Sequence, residues 1–487
     1  MIASEFRTVY NASSQTWPTD AKAFCLTLLT AFEQLEQRVK KLEDQQAINS
    51  RNSSQSPSKD KLNKPAPKLK SLRQPTDKRP GGQVGHQGKN KPLRDNPDHT
   101  FFHHVGACSS CGHDLSEVEP DRVIRRQVED LPPIKTVVTE HRIEVKTCPC
   151  CARQSQAVGC PVEVQHEFQY GPVIRSLCLY LSTVHFIPAK RTKQLLSVLG
   201  VDLSVGFLDN FRKQAAGRLR PFMAALRVAL IKASMVHVDE TGLKVKGVGH
   251  WVDVVCNQLL SYFALHRKRG RGAHESMGVL ALFKGLLHRD DHHSYHDYPA
   301  ATHSLCCAHL LRDLIYAIER DGQEQWAAGL ITLLLQIKAH VEASVSKVAD
   351  PECLIDYQQQ YRVLIEQGLA LNPPAIKVDG GRRGKAAQTK TVNLLLRLRD
   401  KEAEVLRFAT HAEAEFDNNL AERDLRMNKL RQKVSGGFRS AQAGEEFMQI
   451  RSFVLTAIKQ KAEPVAELVK LLTPGNYEHM RFVAIPE

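Results

Sequence analysis

A long segment of the chain lacks the apolar residues that a folded core needs. The stretch NSRNSSQSPSKDKLNKPAPKLKSLRQPTDKRPGGQVGHQGKNK is rich in Ser, Pro, Gly and Lys. Because it buries too little apolar surface to offset the entropy of ordering, we predict a basic linker over residues 51–100. The linker is either a spacer or a cationic arm that follows phosphates by counterion release.

The 487-residue chain is basic and long enough for about three domains. It has 67 Lys and Arg against 53 Asp and Glu, a formal net charge of +14, which favours a polyanionic partner such as nucleic acid or an anionic membrane. No apolar run approaches the roughly 18 residues of a membrane span. The start, MIASEFRTVYNASSQ, lacks the apolar core of a signal peptide. We expect a cytoplasmic protein, bound to the nucleoid when on DNA.

The N-terminal part, residues 1–50, contains a heptad-like seam. Apolar side chains recur there at alternating spacings of four and three: Leu28, Phe32, Leu35, Val39 and Leu42. This period predicts a short coiled coil or a helical hairpin.

Residues 101–168 contain two C-x2-C pairs. Cys108 and Cys111 form the first pair, and Cys148 and Cys151 the second. Because cytoplasmic thiols are mostly reduced, we predict that four thiolates bind one structural Zn²⁺ once the intervening RRQVEDLPPIKTVVTEHRIEVKT folds as a β-hairpin. Cys150 is able to replace either neighbour, and the alternative is a set of unliganded thiols.

Residues 169–230 have the spacing of a helix-turn-helix. One helix is predicted from about Ala189, a turn at Gly200, and a second helix capped by Ser204. The second helix would enter a major groove. Candidate DNA contacts are Lys190, Arg191, Lys193, Asn210, Arg212 and Lys213.

Short apolar strands follow residue 233. MVHVDE, GHWVDVVCN and SYFALH are joined by tight turns and predict an antiparallel meander, and after a helix, HESMGVLALF, comes a fourth strand, GLLHRD. Asp239 ends the first strand and Asp290 the fourth. Neighbouring strands would present both acids at one sheet edge, as a ribonuclease-H-like core requires, although strand-end aspartates also cap turns.

The stretch FDNNLAERDLR offers a third acid. Asp417 is able to cap a helix on which Asn418, Asn419, Glu422 and Arg426 share a face. Glu422 either forms pairs along its helix or joins Asp239 and Asp290 in holding two Mg²⁺ or Mn²⁺ ions about 3.5–4 Å apart. Nearby candidates for the DNA backbone are Asn419, Arg423, Arg426 and Arg439, the last in a glycine turn that alternatively just ends the helix.

Between these acids, residues 310–410 are predicted to be an α-helical insertion. HLLRDLIYAIE and GLITLLLQIKAHVEASV keep helical period, with Leu330, Leu333, Leu334 and Ile337 on one side. The basic loop DGGRRGK, residues 379–385, either contacts DNA or links helices.

The order of these motifs resembles the insertion-sequence-66 family of bacterial transposases over about residues 21–470, and HVDET and DNNLAERDLR are the specific motifs. The resemblance implies an α/β multidomain protein with a leucine-zipper-like N-terminus, a zinc-binding segment, a helix-turn-helix and a ribonuclease-H-like core. That core is a mixed sheet with helices, in residues 231–309 and 411–460, followed by a C-terminal tail, 461–487. By motif, the catalytic triad is Asp239, Asp290 and Glu422.

The chain departs from the family pattern at RDDHHSYHDY, which makes Asp291 a rival to Asp290. Asp290 is preferred because Gly285, Leu287 and Tyr295 then keep the family's offsets. GGQVGHQG lacks a lysine common at its end. His237 and His309 are either core histidines or lie beside the metals or DNA.

The resemblance implies a DDE transposase that binds the inverted ends of its element, nicks them and joins the 3′-hydroxyls to target DNA. It also implies a homo-oligomer holding two ends and small accessory proteins. The alternatives are a structure-selective nuclease that cuts without joining and a domesticated DNA-binding regulator. The intact acids argue against the regulator, since three carboxylates repel one another without metal.

Overall fold

The computed structural model describes residues 3–48, 52, 91–131, 134–159, 161, 164, 166–376, 386 and 388–473. Most of the predicted linker and the DGGRRGK loop lie outside these residues. The chain divides into two units by contact, a smaller one of Lys70–Glu140 with Leu196–Val201 and a larger one of the remaining residues.

The N-terminal residues form a helical hairpin, one of the two predicted arrangements. Helix α1 spans Ala3–Ser13 and α2 spans Thr19–Ala47. Phe6 packs edge-on against Phe32 with ring centroids 6.2 Å apart, and Arg7 Nε lies 2.7 Å from Glu33 Oε1. The apolar seam of α2 remains largely exposed.

The predicted hairpin between the cysteine pairs is wrong. Residues 122–131 and 134–144 contain no helix or strand, and the antiparallel ladder pairs β1, Val145–Thr147, with β2, Gln154–Gln156, around the second cysteine pair. Val128 and Val137 are 94% and 90% exposed. An isolated two-stranded hairpin is only marginally stable unless its apolar side chains pack on another surface, and these two valines are exposed instead.

A helical region follows, with the two helices and the turn that the sequence predicts. Gly200 adopts φ +77° in the turn, a conformation that favours glycine. Phe211, Ala215 and Ala216 are buried where the helix after the turn packs. The helices are α3 (Pro172–Thr183), α4 (Ala189–Val198), α5 (Val205–Arg218) and α6 (Arg220–Lys232).

In the described residues, five strands form a mixed sheet in the order β5-β4-β3-β6-β7. The first three pair antiparallel as predicted, whereas β6 and β7 run parallel to β3. The sequence missed β7 and placed the connecting helix, α7, too late, because Gly278 at φ +66° ends it at Met277. The elements are β3 (Met235–Val245), β4 (Val248–Cys256), β5 (Ser261–His266), α7 (Arg271–Met277), β6 (Leu286–Arg289) and β7 (Thr302–Leu305).

The described residues between Cys307 and Thr410 are mostly helical, as predicted. The periodic leucines of α9, together with Ile337, are at most 3% exposed and share a core with Trp326 and Tyr361. The helices are α8 (Cys307–Asp321), α9 (Glu324–Ala343), α10 (Pro351–Leu371), α11 (Lys390–Asp400), α12 (Glu402–Val405) and α13 (Arg407–Thr410).

The chain then returns to the sheet. Helix α14, Asn419–Ser435, packs on β3 and β4, and α15, Ala441–Lys459, packs on β5. The last described helix, α16, Pro464–Leu472, packs on α3 and buries Leu468, so the predicted tail begins with a packed helix. No helix in the described ranges combines the length and the hydropathy of a membrane span.

The glycine turn after α14 adds a bridge to the end of β3. Phe438 pairs with Val245, and the Phe438 N–H donates to Lys244 O at 3.1 Å. A Cβ on Gly437 would stand 2.7 Å from that same carbonyl oxygen. The Lys244 carbonyl oxygen belongs to the backbone, so it is unable to move away from a new Cβ by rotating as a flexible side chain would.

Gly437→Ala should therefore displace the turn and lower the free energy of unfolding by about 1–3 kcal/mol, measured by denaturant titration. The matched control is Gly217→Ala on α5, where a Cβ meets nothing within 4 Å. Equal stability of the two variants would contradict the close approach.

Candidate active site

Two acids lie at corresponding positions of neighbouring parallel strands, Asp239 within β3 and Asp290 directly after the last residue of β6. The register pairs His237 of β3 with His288 of β6. Asp239 and Asp290 each follow that pair by two residues, so both are carried to the same edge of the sheet, on strands about 4.8 Å apart. The sequence-predicted acids of the first and fourth strands are therefore neighbours.

These carboxylates repel each other in a buried setting. Burial raises the pKa of Asp239 well above its usual range, and the charges of Glu240, Asp290 and Glu422 raise it further. The pKa of Asp290 is also raised, first by burial and then by Glu240. Over the described part of the chain, no basic side chain forms an ion pair with either carboxylate, and their only close donors are the N–H groups of Glu240 and His292. The pair therefore suits a hard divalent cation.

Glu422 lies on α14, and its charge contributes to the raised pKa of Asp239. Its carboxylate lies 3.4 Å from Arg312 Nη2 and 3.7 Å from His309 Nε2, and it is 34% exposed. Cys306, His309 and Glu422 are close enough to share a metal ion. Burial, together with the charge of Arg312, lowers the pKa of His309 to about 3, so the imidazole is neutral, whereas burial raises the pKa of the Cys306 thiol to about 12 and keeps it protonated. His309 is the better ligand of the two.

Asn418 attaches the Glu422 helix to the Asp239 strand. Its Oδ1 accepts a hydrogen bond from His237 Nδ1 at 2.9 Å, and its Nδ2 donates to Val238 O at 2.8 Å. Asn418 is 1% exposed, and burial lowers the pKa of its partner His237. His237 is thus a core histidine that holds α14. Sequence reasoning placed Asn418 on the helix but missed this contact.

The predicted cap by Asp417 is displaced by one residue, because Asn418 is the N-cap of α14 and its side chain makes no cap bond. Asp417 Oδ1 accepts the Asn419 N–H at 3.1 Å. Asn418 and Glu422 lie one turn apart, with the Glu422 N–H donating to Asn418 O at 3.1 Å. Asn419 instead points outward. The predicted shared face therefore splits into an inner side with Glu422 and an outer side.

The rival acid, Asp291, is already neutralised. It pairs with Lys401, with His296 Nε2 at 3.1 Å and with Arg397 Nε at 3.8 Å. Burial alone would raise the pKa of Asp291, but Lys401, Arg397 and His296 lower it below its usual range. Asp291 thereby ties the end of β6 to the helical insertion.

The predicted DNA-contacting side chains fall into two groups. Around α4 and α5, Lys193 pairs with Asp202 at 3.4 Å, Lys213 with Asp209 at 3.1 Å, and Arg212 Nε with Glu446 Oε2 at 2.8 Å. Arg212 thus fastens α5 to α15. The remaining candidates are exposed and form no ion pair within the described residues: Lys190, Arg191, Asn210, Asn419, Arg423, Arg426 and Arg439.

The two cysteine pairs are tight turns of the same form. The Gly112 N–H donates to Cys108 O at 2.9 Å, and the Ala152 N–H donates to Cys148 O at 2.9 Å. Hydrogen bonds from backbone N–H groups in each turn lower the pKa of Cys108 and of Cys148. Thiolates are the form that zinc binds. The pairs belong to different contact units.

Comparison with known families covers most of the chain. Residues 167–446 match the family described as Transposase IS66 family, and residues 106–152 match the zinc-finger binding domain of transposase IS66. Residues 12–92 match a family of unknown function. No curated protein matches the chain. The zinc-finger match includes all four paired cysteines, which supports a structural zinc.

Asp239→Asn should stabilise the metal-free protein. A carboxyl whose pKa is raised by folding destabilises the fold when ionised; this penalty is complete above the folded pKa, shrinks as the pH falls through it, and is absent below the pKa of the unfolded chain. We expect the melting temperature at pH 8 without metal to rise by about 2–4 °C, less so at lower pH. An unchanged or lower value at pH 8 would contradict the repulsion.

Asn418→Ala should lower the free energy of unfolding by about 1–3 kcal/mol, because two buried hydrogen bonds are lost and Val238 O is left unpaired. Asn419→Ala, one residue on and exposed, is the matched control and should change it little. Denaturant titrations of both variants measure the difference, and equal effects would remove the special role of Asn418.

Proposed function

Because the chain belongs to the IS66 family of transposases, we propose that it binds the inverted-repeat ends of an insertion sequence and catalyses cleavage and transfer of their DNA strands. Asp239, Asp290 and Glu422 are the proposed catalytic triad. The single observation that supports this proposal is that Asp239 and Asp290 each follow the paired residues His237 and His288 by two positions, without counter-cations among the described residues, while the charge of Glu422 helps to raise the pKa of Asp239.

The sheet supports a ribonuclease-H-like core. Its central strand, β3, has an antiparallel neighbour on one side and a parallel neighbour on the other. This mixed order brings the ends of β3 and β6 together, so the two strand acids are fixed by backbone hydrogen bonds. The helical insertion separates Glu422 from them in sequence, and the effect of its charge on the pKa of Asp239 supports their proximity.

The triad would hold divalent cations, Mg²⁺ or Mn²⁺, through carboxylate oxygens. Two such ions, when bound, supply the activation of a water or 3′-hydroxyl and the stabilisation of the leaving oxygen. Within the chain, Asp239 and Asp290 present their oxygens from rigid strands, and Arg312 and neutral His309 orient Glu422. Asn418 keeps the helix of Glu422 against β3.

DNA contact is proposed for the exposed basic side chains. Arg423 and Arg426 lie on the outer side of α14, close in sequence to Glu422, where they suit the phosphates beside the cleaved bond. Lys190 and Arg191 lie on the first helix of the helix-turn-helix region and Asn210 on the second. Lys193, Lys213 and Arg439 are proposed as further phosphate contacts, whereas Arg212 holds α5 in place.

The remaining parts of the proposal concern assembly. A zinc bound by Cys108, Cys111, Cys148 and Cys151 would stabilise the segment before the helix-turn-helix. At least two protomers are needed to hold two element ends together, and small accessory proteins encoded by the same element are proposed partners.

A strand-transfer assay tests the proposal. Full-length protein is incubated with Mg²⁺ or Mn²⁺ and labelled duplexes taken from the ends of the element that encodes it. We expect joined products with the wild type, and a loss of roughly 10²- to 10³-fold or more in Glu422→Gln and Asp290→Asn, because each removes a metal ligand.

Asp291→Asn is the matched control, since Asp291 is adjacent but neutralised by basic side chains. It should keep strand transfer within about tenfold of the wild type. Activity in Asp290→Asn but not in Asp291→Asn would move the assignment to Asp291. Cleavage without joining would favour the nuclease, and end binding without cleavage the regulator.

A further inference from the structure

The face of the sheet opposite α14 carries a second group of metal-binding side chains. Glu240 and Asp253 are cross-strand partners on β3 and β4, and His274 lies on α7. One donor atom from each lies within 4.8 Å of the others. We propose that Glu240, Asp253 and His274 form a buried structural zinc site, separate from the triad.

The position of this cluster follows from strand geometry. Successive side chains of a strand point to opposite faces. Leu243 and Val245 share a core with Leu420 and Leu425 of α14, and Asp239 has the same parity as these two β3 residues. Glu240 therefore points away from α14. The proposed zinc lies behind the catalytic strand and not within the triad.

Two members of the cluster lack hydrogen bonds although they are buried. Asp253 is 3% exposed and His274 2%. Both carboxylate oxygens of Asp253 and both ring nitrogens of His274 have no hydrogen-bond partner in the described residues. Buried polar atoms are nearly always satisfied, and the two Asp253 oxygens together with the His274 Nε2 that lies 3.5 Å from one of them indicate a missing ligand.

The charges of the cluster also call for a cation. Glu240 is fully buried and bound by Arg269, whose Nε donates to Oε1 at 2.7 Å, and by the Tyr295 hydroxyl. Arg269 offsets the charge of Glu240, whereas Asp253 forms no ion pair with Lys or Arg within the described residues and has His274 Nε2 beside it at 3.5 Å. A carboxylate has about four lone-pair sites, so Glu240 retains capacity for a metal, and its two partners fix its orientation.

The donor set selects zinc among the common divalent ions. One imidazole nitrogen with two carboxylates suits Zn²⁺ better than Mg²⁺ or Ca²⁺, which prefer oxygen alone. Two ligands on a tetrahedral ion with bonds of 2.0–2.1 Å are about 3.3 Å apart. His274 Nε2 and Asp253 Oδ1 are 3.5 Å apart, and the second Asp253 oxygen is available as a fourth ligand.

Such a zinc would join β3, β4 and α7 immediately behind Asp239. Tyr295, which stacks on His274 with ring centroids 4.7 Å apart, also binds Glu240 and follows Asp290 in the chain. The site would therefore hold the segment after β6 to the central strand. Its role is structural, because its ligands point away from the triad.

Zinc content measured by mass spectrometry tests the site. Full-length protein is purified without chelators and dialysed before measurement. We expect two zinc ions per chain in the wild type, one in Asp253→Asn and one in His274→Gln. The matched control, Glu275→Gln, alters the residue next to His274 whose side chain instead pairs with Arg271, and it should retain two.

A second variant keeps the test decisive if the cluster variants fail to fold. Cys108→Ser combined with Cys111→Ser removes the first cysteine pair but leaves Glu240, Asp253 and His274 intact, so it should retain one zinc. One zinc in the wild type and none in this variant would overturn the proposal, and Asp253 and His274 would then be an internal ion pair.

Discussion

At the candidate site the protein holds carboxylates near one another although their negative charges repel. The rest of the site depends on the backbone pairing that opposes this repulsion. Asp239 and Asp290 are fixed at one level by the parallel pairing of β3 and β6, and neither has a basic partner within the described residues. Backbone hydrogen bonds supply the opposing force, since a strand in a sheet is unable to turn its side chains away. Asn418, one turn before Glu422, binds both His237 and the backbone of β3, and this attaches the start of α14 to that strand.

The helical insertion is coupled to this site by charge. Arg289 is buried at the end of β6, where its Nη2 lies 2.6 Å from Glu404 and its Nη1 donates to Asp290 O at 2.9 Å. Asp291 continues the network to Lys401 and Arg397. A residue that sequence reasoning treated as a competitor for metal is thus part of the attachment between the core and the insertion.

Local patterns predicted much of the fold. The leucine period of α9, the meander of β3 to β5 and the turn at Gly200 each depend on residues close in sequence, so the sequence alone suffices for them. The four-residue strand β7 is too short to show a period, and the hairpin between the cysteine pairs has alternation but no surface to pack on.

Parts of the site escaped prediction because distant residues decide them. Asp290 and Asp291 are adjacent in sequence, and only the basic residues brought by α11 and its flank distinguish their surroundings. The bond between Asn418 and Val238 and the pairing of Glu240 with Asp253 likewise need the sheet register. Sequence motifs identified the acidic residues, but they did not identify the side chains and backbone groups that these residues contact in the fold.

Because acids alternate between the two faces of β3, this strand tolerates substitutions differently from insertions and deletions. Asp239 and Glu240 occupy consecutive positions on opposite faces, so shifting the strand by one residue would exchange them and turn the wrong acid towards α14. The strand is anchored at both ends, by pairing of Met235 with Leu286 and of Val245 with Phe438. A substitution in β3 changes one side chain. An insertion or deletion between these anchors instead exchanges the faces to which Asp239 and Glu240 point. In this strand, length is under tighter constraint than composition.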